Sequence, residues 1–149
     1  MFRGRYEHSL DDKGRLSIPA RFRQELGEGG GDGALVITNF DRCLAAYPMT
    51  EWLELERRLA ALPRFEPAVL DFQRYFISGA VECVPDKAGR ILLPAGLRQG
   101  AGIERDCILA GQISKIEIWA DHAWQNEFDG LASRFSSMTR ELSGLGISI

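Results

Sequence analysis

Short apolar runs separated by polar turns predict a chain that is rich in strands. Tyr6, His8 and Leu10 alternate with polar neighbours, which is typical of a half-buried strand. Apolar runs of the length and composition of further strands lie at residues 35–38, 43–47, 80–84, 107–110 and 115–119. These runs indicate a large β component.

Helical periodicity accounts for most of the remaining apolar positions. One stripe follows the start signal Pro48 and stops before Pro63; its members are Trp52, Leu55, Leu59 and Leu62. A second helix is expected from the N-cap candidate Asp121 to about residue 142, with Trp124, Phe128, Leu131 and Phe135 along one face. A short helix is also expected at residues 21–26. The pattern therefore mixes strands with helices.

A repeated segment organises the chain. Residues 11–23 recur at residues 86–98 after a constant shift of 75 positions, and both copies read D-x-x-G-R, three mostly apolar residues, then P-A-x-apolar-R. Two copies are too few for a solenoid, which needs about three or more repeats to bury its faces. We therefore predict an α+β fold in which two halves, residues 1–79 and 80–149, close on each other as one unit.

Each copy of the repeat predicts a tight turn between two strands of the same half. Gly14 and Gly89 stand where a reversing chain needs positive φ, a conformation that costs glycine little. Asp11 and Asp86 open the turns, where a carboxylate can accept backbone N–H bonds. We expect these four residues to order the two turns.

The arginine after each turn glycine, Arg15 or Arg90, has two compatible interpretations. At the tip of a two-stranded ribbon, its donors can pair with guanine O6 and N7 in a DNA groove. From spacing alone, a salt bridge to the aspartate four residues earlier is as well supported as the base contact, and it would fix the arginine rotamer. Other basic residues would contact phosphates, which position a protein without specifying sequence: Lys13, Lys87, Arg3, Arg21 and Arg23. A solvated helix face is the alternative interpretation of Arg21 and Arg23.

The charge balance restricts how the chain meets an anionic partner. The 149 residues are 45% hydrophobic and 26% charged, and their net charge of −3 argues against a general nucleic-acid coat. Up to Gln24, however, six lysines and arginines stand against three acids, so a local basic patch would make the contact. No apolar run approaches the roughly 20 residues of a membrane span, and residues 1–8 do not resemble a signal peptide. A cytoplasmic protein without a membrane partner is expected.

Candidate catalytic and metal chemistry is sparse. All three cysteines lack C-x-x-C spacing and are expected to be buried reduced thiols: Cys43, Cys83 and Cys107. The glycine-rich residues 28–33 are expected to be a flexible connection, since no G-K-[ST] follows them. Asp11 with Asp86, or either aspartate with His8, would be the candidate acid–base pair, but backbone capping explains both aspartates. We expect no catalysis, metal, cofactor or small-molecule substrate.

The chain resembles the MraZ family over essentially its full length. The segments that carry the resemblance are residues 1–4, 11–15, 16–20, 47–52, 76–80, 86–90 and 92–95. One of these motifs alone would be weak, but the set in this order is specific.

The resemblance implies an AbrB/SpoVT-like swapped-hairpin β-barrel with flanking helices, built from two halves of one chain. It also implies a ring-shaped homo-oligomer, such as an octamer or larger, that binds double-stranded promoter DNA. Such a protein would be a transcriptional regulator, expected to repress the division and cell-wall gene cluster, and would be associated with the nucleoid. By motif position, Arg15 and Arg90 are the DNA-contacting arginines.

The resemblance leaves two points open. The second turn has Lys87 and Ala88 where the first has Asp12 and Lys13, so the two tips need not contact DNA identically. The alternative function is that of an AbrB-type antitoxin or a protein-interaction scaffold without DNA readout. Against the antitoxin, the C-terminal half is a second ordered repeat.

Overall fold

Eight strands, five helices and one π-helical turn make up the fold, and the computed structural model describes all residues from 1 to 149. The strands are β1 (Arg5–Ser9), β2 (Arg15–Ser17), β3 (Leu35–Phe40), β4 (Cys43–Pro48), β5 (Val81–Cys83), β6 (Arg90–Leu92), β7 (Asp106–Gln112) and β8 (Lys115–Ala120). The helices are α1 (Ala20–Glu28), α2 (Met49–Ala60), α3 (Pro67–Phe72), α4 (Ala95–Gly100) and α5 (Asp121–Gly144), and the π-helical turn Gln73–Ile77 continues α3. The predicted α+β class is confirmed.

The two halves of the chain exchange strands. Six strands form one antiparallel sheet in the order β1-β7-β8-β4-β3-β5, and β2 pairs with β6 in a separate two-stranded ribbon. Within the sheet, β1 from the first half pairs with β7 from the second, and β5 from the second half pairs with β3 from the first. The edge strands β1 and β5 are not paired with each other, so the sheet is open. The closed β-barrel that the resemblance implies is not seen.

The two-stranded ribbon forms between the halves and not within each half, so that part of the sequence prediction was wrong. Leu16 of β2 lies opposite Ile91 of β6. These side chains are 0% and 1% exposed and belong to the same core cluster. Alternation along a strand specifies which face is buried, but it does not specify which other strand completes the pair.

The main core lies between the six-stranded sheet and a layer made of the ribbon, α1 and α4. The layer contributes Leu16, Phe22, Ile91 and Leu97, and the sheet contributes Leu35, Leu44, Leu109 and Ile118. The opposite face of the sheet is also covered. Trp52 of α2 and Phe76 of the π-helical turn stack there at 5.4 Å between ring centroids, and Trp124 of α5 packs near β7 and β8. Burial on both faces fixes the sheet as the frame that carries the ribbon.

The two long helices have the predicted extents, with differences at their ends. Asp121 is the first residue of α5 and not its N-cap, which is Ala120. Leu62 was predicted to belong to the apolar stripe of α2, but it lies beyond the last helical residue and is exposed. No helix combines the length and the apolar character that a bilayer span requires.

The three cysteines are buried free thiols, as predicted. Burial raises the pKa of the Cys107 thiol to about 12, and burial also raises the pKa of Cys43 and of Cys83. The thiolate is the nucleophilic form of cysteine, so these side chains serve as packing groups at neutral pH.

Candidate nucleic-acid interface

The first turn is held closed by one aspartate. Asp11 Oδ1 accepts hydrogen bonds from the backbone N–H groups of Lys13 and Arg15, each at 2.9 Å. The Gly14 N–H donates to the Asp11 carbonyl at 3.0 Å, and the Asp11 N–H donates to the Arg15 carbonyl at 3.0 Å. Gly14 has φ of +76°, the left-handed region that favours glycine. The turn is therefore determined by local chemistry.

The second turn repeats this geometry. Asp86 Oδ1 accepts from the backbone N–H groups of Ala88 and Arg90, each at 2.9 Å. The Gly89 N–H donates to the Asp86 carbonyl at 2.9 Å, and Gly89 also has φ of +76°. Two turns with the same hydrogen bonds are the structural counterpart of the repeated sequence.

Each turn aspartate also forms an ion pair with its arginine. Asp11 Oδ2 lies 2.6 Å from Arg15 Nε, and Asp86 Oδ2 lies 3.0 Å from Arg90 Nε. The hydrogen bonds from the backbone N–H of Arg15 and Arg90 are the main reason that the pKa of each carboxyl is lowered, with the guanidinium adding to the effect. The salt-bridge interpretation is therefore confirmed. Because only Nε is engaged within the turn, the outer nitrogens of each guanidinium keep free donors.

The ribbon places the two arginines on one face. Leu16 and Ile91 are paired and point into the core, so the alternate residues of both strands point away from it. Arg15 and Arg90 are among those outward residues, with side chains 31% and 34% exposed. Arg90 Nη1 also lies 3.9 Å from Asp11 Oδ2, which links the two turns. The neighbouring turn residues Lys13 and Lys87 are exposed.

Comparison with known proteins identifies the family. Residues 1–75 and residues 76–144 each match the family model described as "MraZ protein, putative antitoxin-like". The chain belongs to the MraZ family. Relatives within the family carry the name Transcriptional regulator MraZ. The protein of Desulfitobacterium hafniense is 45% identical over 99% of this chain and 100% of its own length. That of Limosilactobacillus fermentum is 44% identical over 97% of this chain and 99% of its own, and that of Pelotomaculum thermopropionicum is 42% identical over both full lengths.

The structure separates the remaining basic residues into two groups. Arg23 of α1 packs against Gly89 in the second turn, so it lies beside the ribbon. Arg21 is instead 3.8 Å from Glu25. The pKa of Glu25 is lowered mainly by its hydrogen bond from the N-terminal ammonium, and the charges of Arg21 and Arg3 add to that effect. Arg21 therefore lies at Glu25 and not at the turns, and Arg3 is near enough to Glu25 to lower its pKa.

Sequence reasoning missed one residue of this surface, Arg98 of α4. Its guanidinium packs against Gly14 in the first turn, and its Nε donates to the Leu93 carbonyl at 3.1 Å. The signal was available, because the shift of 75 positions places Arg98 on Arg23. The surface made by the two turns, the outward face of the ribbon, Arg23 and Arg98 is called the ribbon surface below.

The ribbon surface is basic although the protein is acidic. It carries six basic side chains, Lys13, Arg15, Arg23, Lys87, Arg90 and Arg98, against the three acids Asp11, Asp12 and Asp86. The whole chain has a net charge of −3. A local excess of positive charge of this kind attracts polyanions at close range while the overall field does not.

The acid–base pairs considered from the sequence are not formed. Both turn aspartates are engaged by backbone N–H groups and by their own arginines. The His8 ring Nδ1 lies 2.7 Å from the Ser17 carbonyl and does not pair with either aspartate. No group of three or more His, Cys, Asp and Glu side chains is arranged to hold a metal ion.

Proposed function

We propose that this protein is a sequence-specific DNA-binding transcriptional regulator and that the ribbon surface reads the DNA. The observation that carries the proposal is the pair of aspartate-clamped arginines, Arg15 and Arg90, which share one exposed face. A clamped guanidinium loses little side-chain freedom when it binds, and its outer nitrogens can donate as a fork to guanine O6 and N7. The name of the relatives, Transcriptional regulator MraZ, supports the same function.

The other basic residues are proposed to act through phosphates. Lys13, Lys87 and Arg23 lie beside the two arginines and would contact the DNA backbone, which fixes position without reading sequence. Arg3 and Arg21 were expected to share this role, and their position at Glu25 would restrict them to contacts at the margin of the surface. Each phosphate contact would steepen the dependence of binding on salt.

Assembly is proposed to supply the affinity that one ribbon lacks. In a ring-shaped homo-oligomer, several identical ribbons can bind the same DNA. After the first ribbon has bound, the later contacts are intramolecular, which can raise avidity by about 10²–10⁴. The operator would then carry short, evenly spaced direct repeats. From the family resemblance we propose that the protein represses the division and cell-wall gene cluster from the cytoplasmic nucleoid.

The interlocked ribbon is proposed to be the single-chain version of a swapped-hairpin arrangement. The exchange of β1 and β5 between residues 1–79 and 80–149 supports this proposal, since each half completes its sheet with a strand from the other. In this interpretation the two halves are repeats that fold only together. The open six-stranded sheet would be the form that the two-repeat chain adopts.

The test is a binding titration against the DNA immediately upstream of the gene. Arg15→Lys and Arg90→Lys keep the charge but lose the bidentate fork, so each should lower discrimination between this DNA and a scrambled duplex by about 1–3 kcal/mol. The control is Arg140→Ala, which removes an exposed arginine from the C-terminal part of α5, outside the ribbon surface. Specific binding that survives substitution of both ribbon arginines would refute the readout.

A second series tests the oligomer. Operators with one, two and three repeats should bind with steeply rising affinity, and a flat series would contradict the avidity argument.

The alternative function is that of an antitoxin or a protein-interaction scaffold. The family description contains the words "antitoxin-like", and the ribbon surface could equally meet an acidic protein. In that case wild-type protein would show no preference for upstream DNA over scrambled DNA, and the arginine variants would change protein binding only.

A further inference from the structure

Each turn of the ribbon is packed against an arginine from the opposite half of the chain. Arg23, in the first half, lies against Gly89 in the second, and Arg98, in the second half, lies against Gly14 in the first. The same contact is therefore made twice, in opposite directions, across the boundary between the two halves.

The space beside each turn glycine is filled by this arginine. A methyl group built on Gly89 would lie 2.5 Å from both Cδ and Nη1 of Arg23. At Gly14 the corresponding distance to Arg98 Cζ is 3.1 Å. The positive φ of both glycines explains why the turn favours glycine, and the close approach adds a second reason. A side chain at Gly89 would displace Arg23, and one at Gly14 would force a smaller shift of Arg98.

Backbone hydrogen bonds also join the two halves at Gly14 and Gly89. The Leu93 N–H donates to the Gly14 carbonyl at 3.0 Å, and the Ile18 N–H donates to the Gly89 carbonyl at 2.9 Å. Arg98 Nε donates to the Leu93 carbonyl, so Leu93 is bound on one side by the first turn and on the other by the arginine that packs on that turn. A change at Arg98 is thus passed directly to the backbone that joins both turns, whereas Arg23 acts through its packing against Gly89.

We propose that Arg23 and Arg98 form a cross-brace that holds the two recognition turns in one fixed register. Arg98 is a positioning residue, which acts on DNA through Arg15 and Arg90, and Arg23 has this positioning role in addition to the phosphate contact proposed above. This inference rests on the proposed function, because it states how the two reading arginines keep a constant separation. Neither arginine of the brace is paired to a carboxylate within 4.0 Å, so geometry and not a salt bridge determines their position.

The brace predicts that a substitution of one brace arginine affects both turns. When two arginines must meet two bases at once, a change in their separation weakens both contacts, whereas loss of one phosphate contact weakens binding to all sequences equally. Replacing Arg98 by lysine keeps the positive charge but removes the planar group and the Nε donor. Arg98→Lys therefore separates positioning from charge.

The first test needs no DNA. Amide hydrogen exchange of wild-type protein and of Arg98→Lys is followed at Leu93 and at Ile18. The brace predicts faster exchange at both amides, on the order of tenfold, although the Ile18 N–H donates to the second turn, against which Arg23 and not Arg98 packs. Unchanged exchange at Ile18 would overturn the proposal, since the turns would then be independent.

The second test uses upstream and scrambled duplexes over a range of salt concentrations. Arg98→Lys and Arg98→Ala should both lose roughly tenfold in affinity for upstream DNA, with an unchanged salt slope and unchanged binding to scrambled DNA. If Arg98→Lys binds like wild type while Arg98→Ala lowers the slope by about one, Arg98 is a phosphate contact and the brace is wrong. Arg140→Ala again controls for the loss of one charge.

The outcomes also separate this inference from the proposed function. Wild-type protein that does not prefer upstream DNA would refute the DNA readout, and the hydrogen-exchange result would then decide the brace alone. Wild-type protein that prefers upstream DNA, with Arg98→Lys unchanged in both tests, would refute only the brace.

Discussion

Removing the buried side chain of Ile91 should destabilise the protein strongly, because the ribbon is attached to the core through it. Ile91 is 1% exposed and lies opposite Leu16 at the centre of the β2–β6 pair. Ile91→Ala removes three carbon atoms, which is about 2.4 kcal/mol of transfer free energy at ~0.8 kcal/mol for each. The cavity left behind adds to this, so we expect a loss of about 3–4 kcal/mol in the free energy of unfolding.

The expected loss is a large fraction of the total free energy of unfolding. Domains of this kind have free energies of unfolding of about 5–15 kcal/mol. At roughly 2–4 °C for each kcal/mol in a chain of this length, Tm should fall by about 6–16 °C. The measurement is thermal and urea unfolding followed by circular dichroism, at one fixed protein concentration because the proposed assembly would make Tm depend on concentration.

The control is the next residue on the same strand. Leu92 points outward and is 61% exposed, so Leu92→Ala should change the free energy of unfolding by no more than about 0.5 kcal/mol. Equal losses at both positions, or a larger loss at Leu92, would refute the alternation of the ribbon and with it the outward position of Arg90.

Three further predictions follow from the same structure. Asp11 and Asp86 have lowered pKa values in the folded protein, so their contribution to stability is present above the ordinary aspartate pKa and is lost as pH falls through the folded values. The urea midpoint of the wild-type protein should therefore decrease below about pH 4. The midpoint of an Asp11→Asn, Asp86→Asn double variant should decrease by less. Residues 1–79 and 80–149 expressed separately should each give the circular dichroism of an unfolded chain, and mixing them should restore structure, because each half lacks a strand that the other supplies. The three cysteines should react with a thiol reagent only at the rate of unfolding, as measured by absorbance, because burial keeps them protonated and inaccessible.

Local chemistry could be predicted from the sequence, and long-range pairing could not. The D-x-x-G-R segments predicted the aspartate caps and the left-handed glycines, because those features depend on residues within four positions of one another. The partner of β2 depends on residues about 75 positions away. Several apolar runs of similar composition compete for each edge, and periodicity does not choose among them.

The candidate site shows the same division. Arg15 and Arg90 could be predicted as neighbours of their aspartates, and the structure adds that they share one face. Arg98 was missed because its contact is with the turn of the opposite half. Arg3 and Arg21 were predicted to contact phosphates, but Arg21 pairs with Glu25, which also binds the N-terminal ammonium and is within electrostatic reach of Arg3.

The differences between the two turns suggest how a symmetric ribbon could be read in one direction. The first turn contains Asp12 beside Lys13, whereas the second contains Lys87 and the uncharged Ala88. The second turn therefore faces a polyanion with one acidic side chain fewer, although the hydrogen bonds of the two turns are the same. Phosphates would favour the second turn, because Coulomb attraction acts mainly within about 8–10 Å at physiological salt. In the proposed ring, every subunit would then meet its DNA repeat in the same orientation, and this requires direct repeats instead of inverted ones.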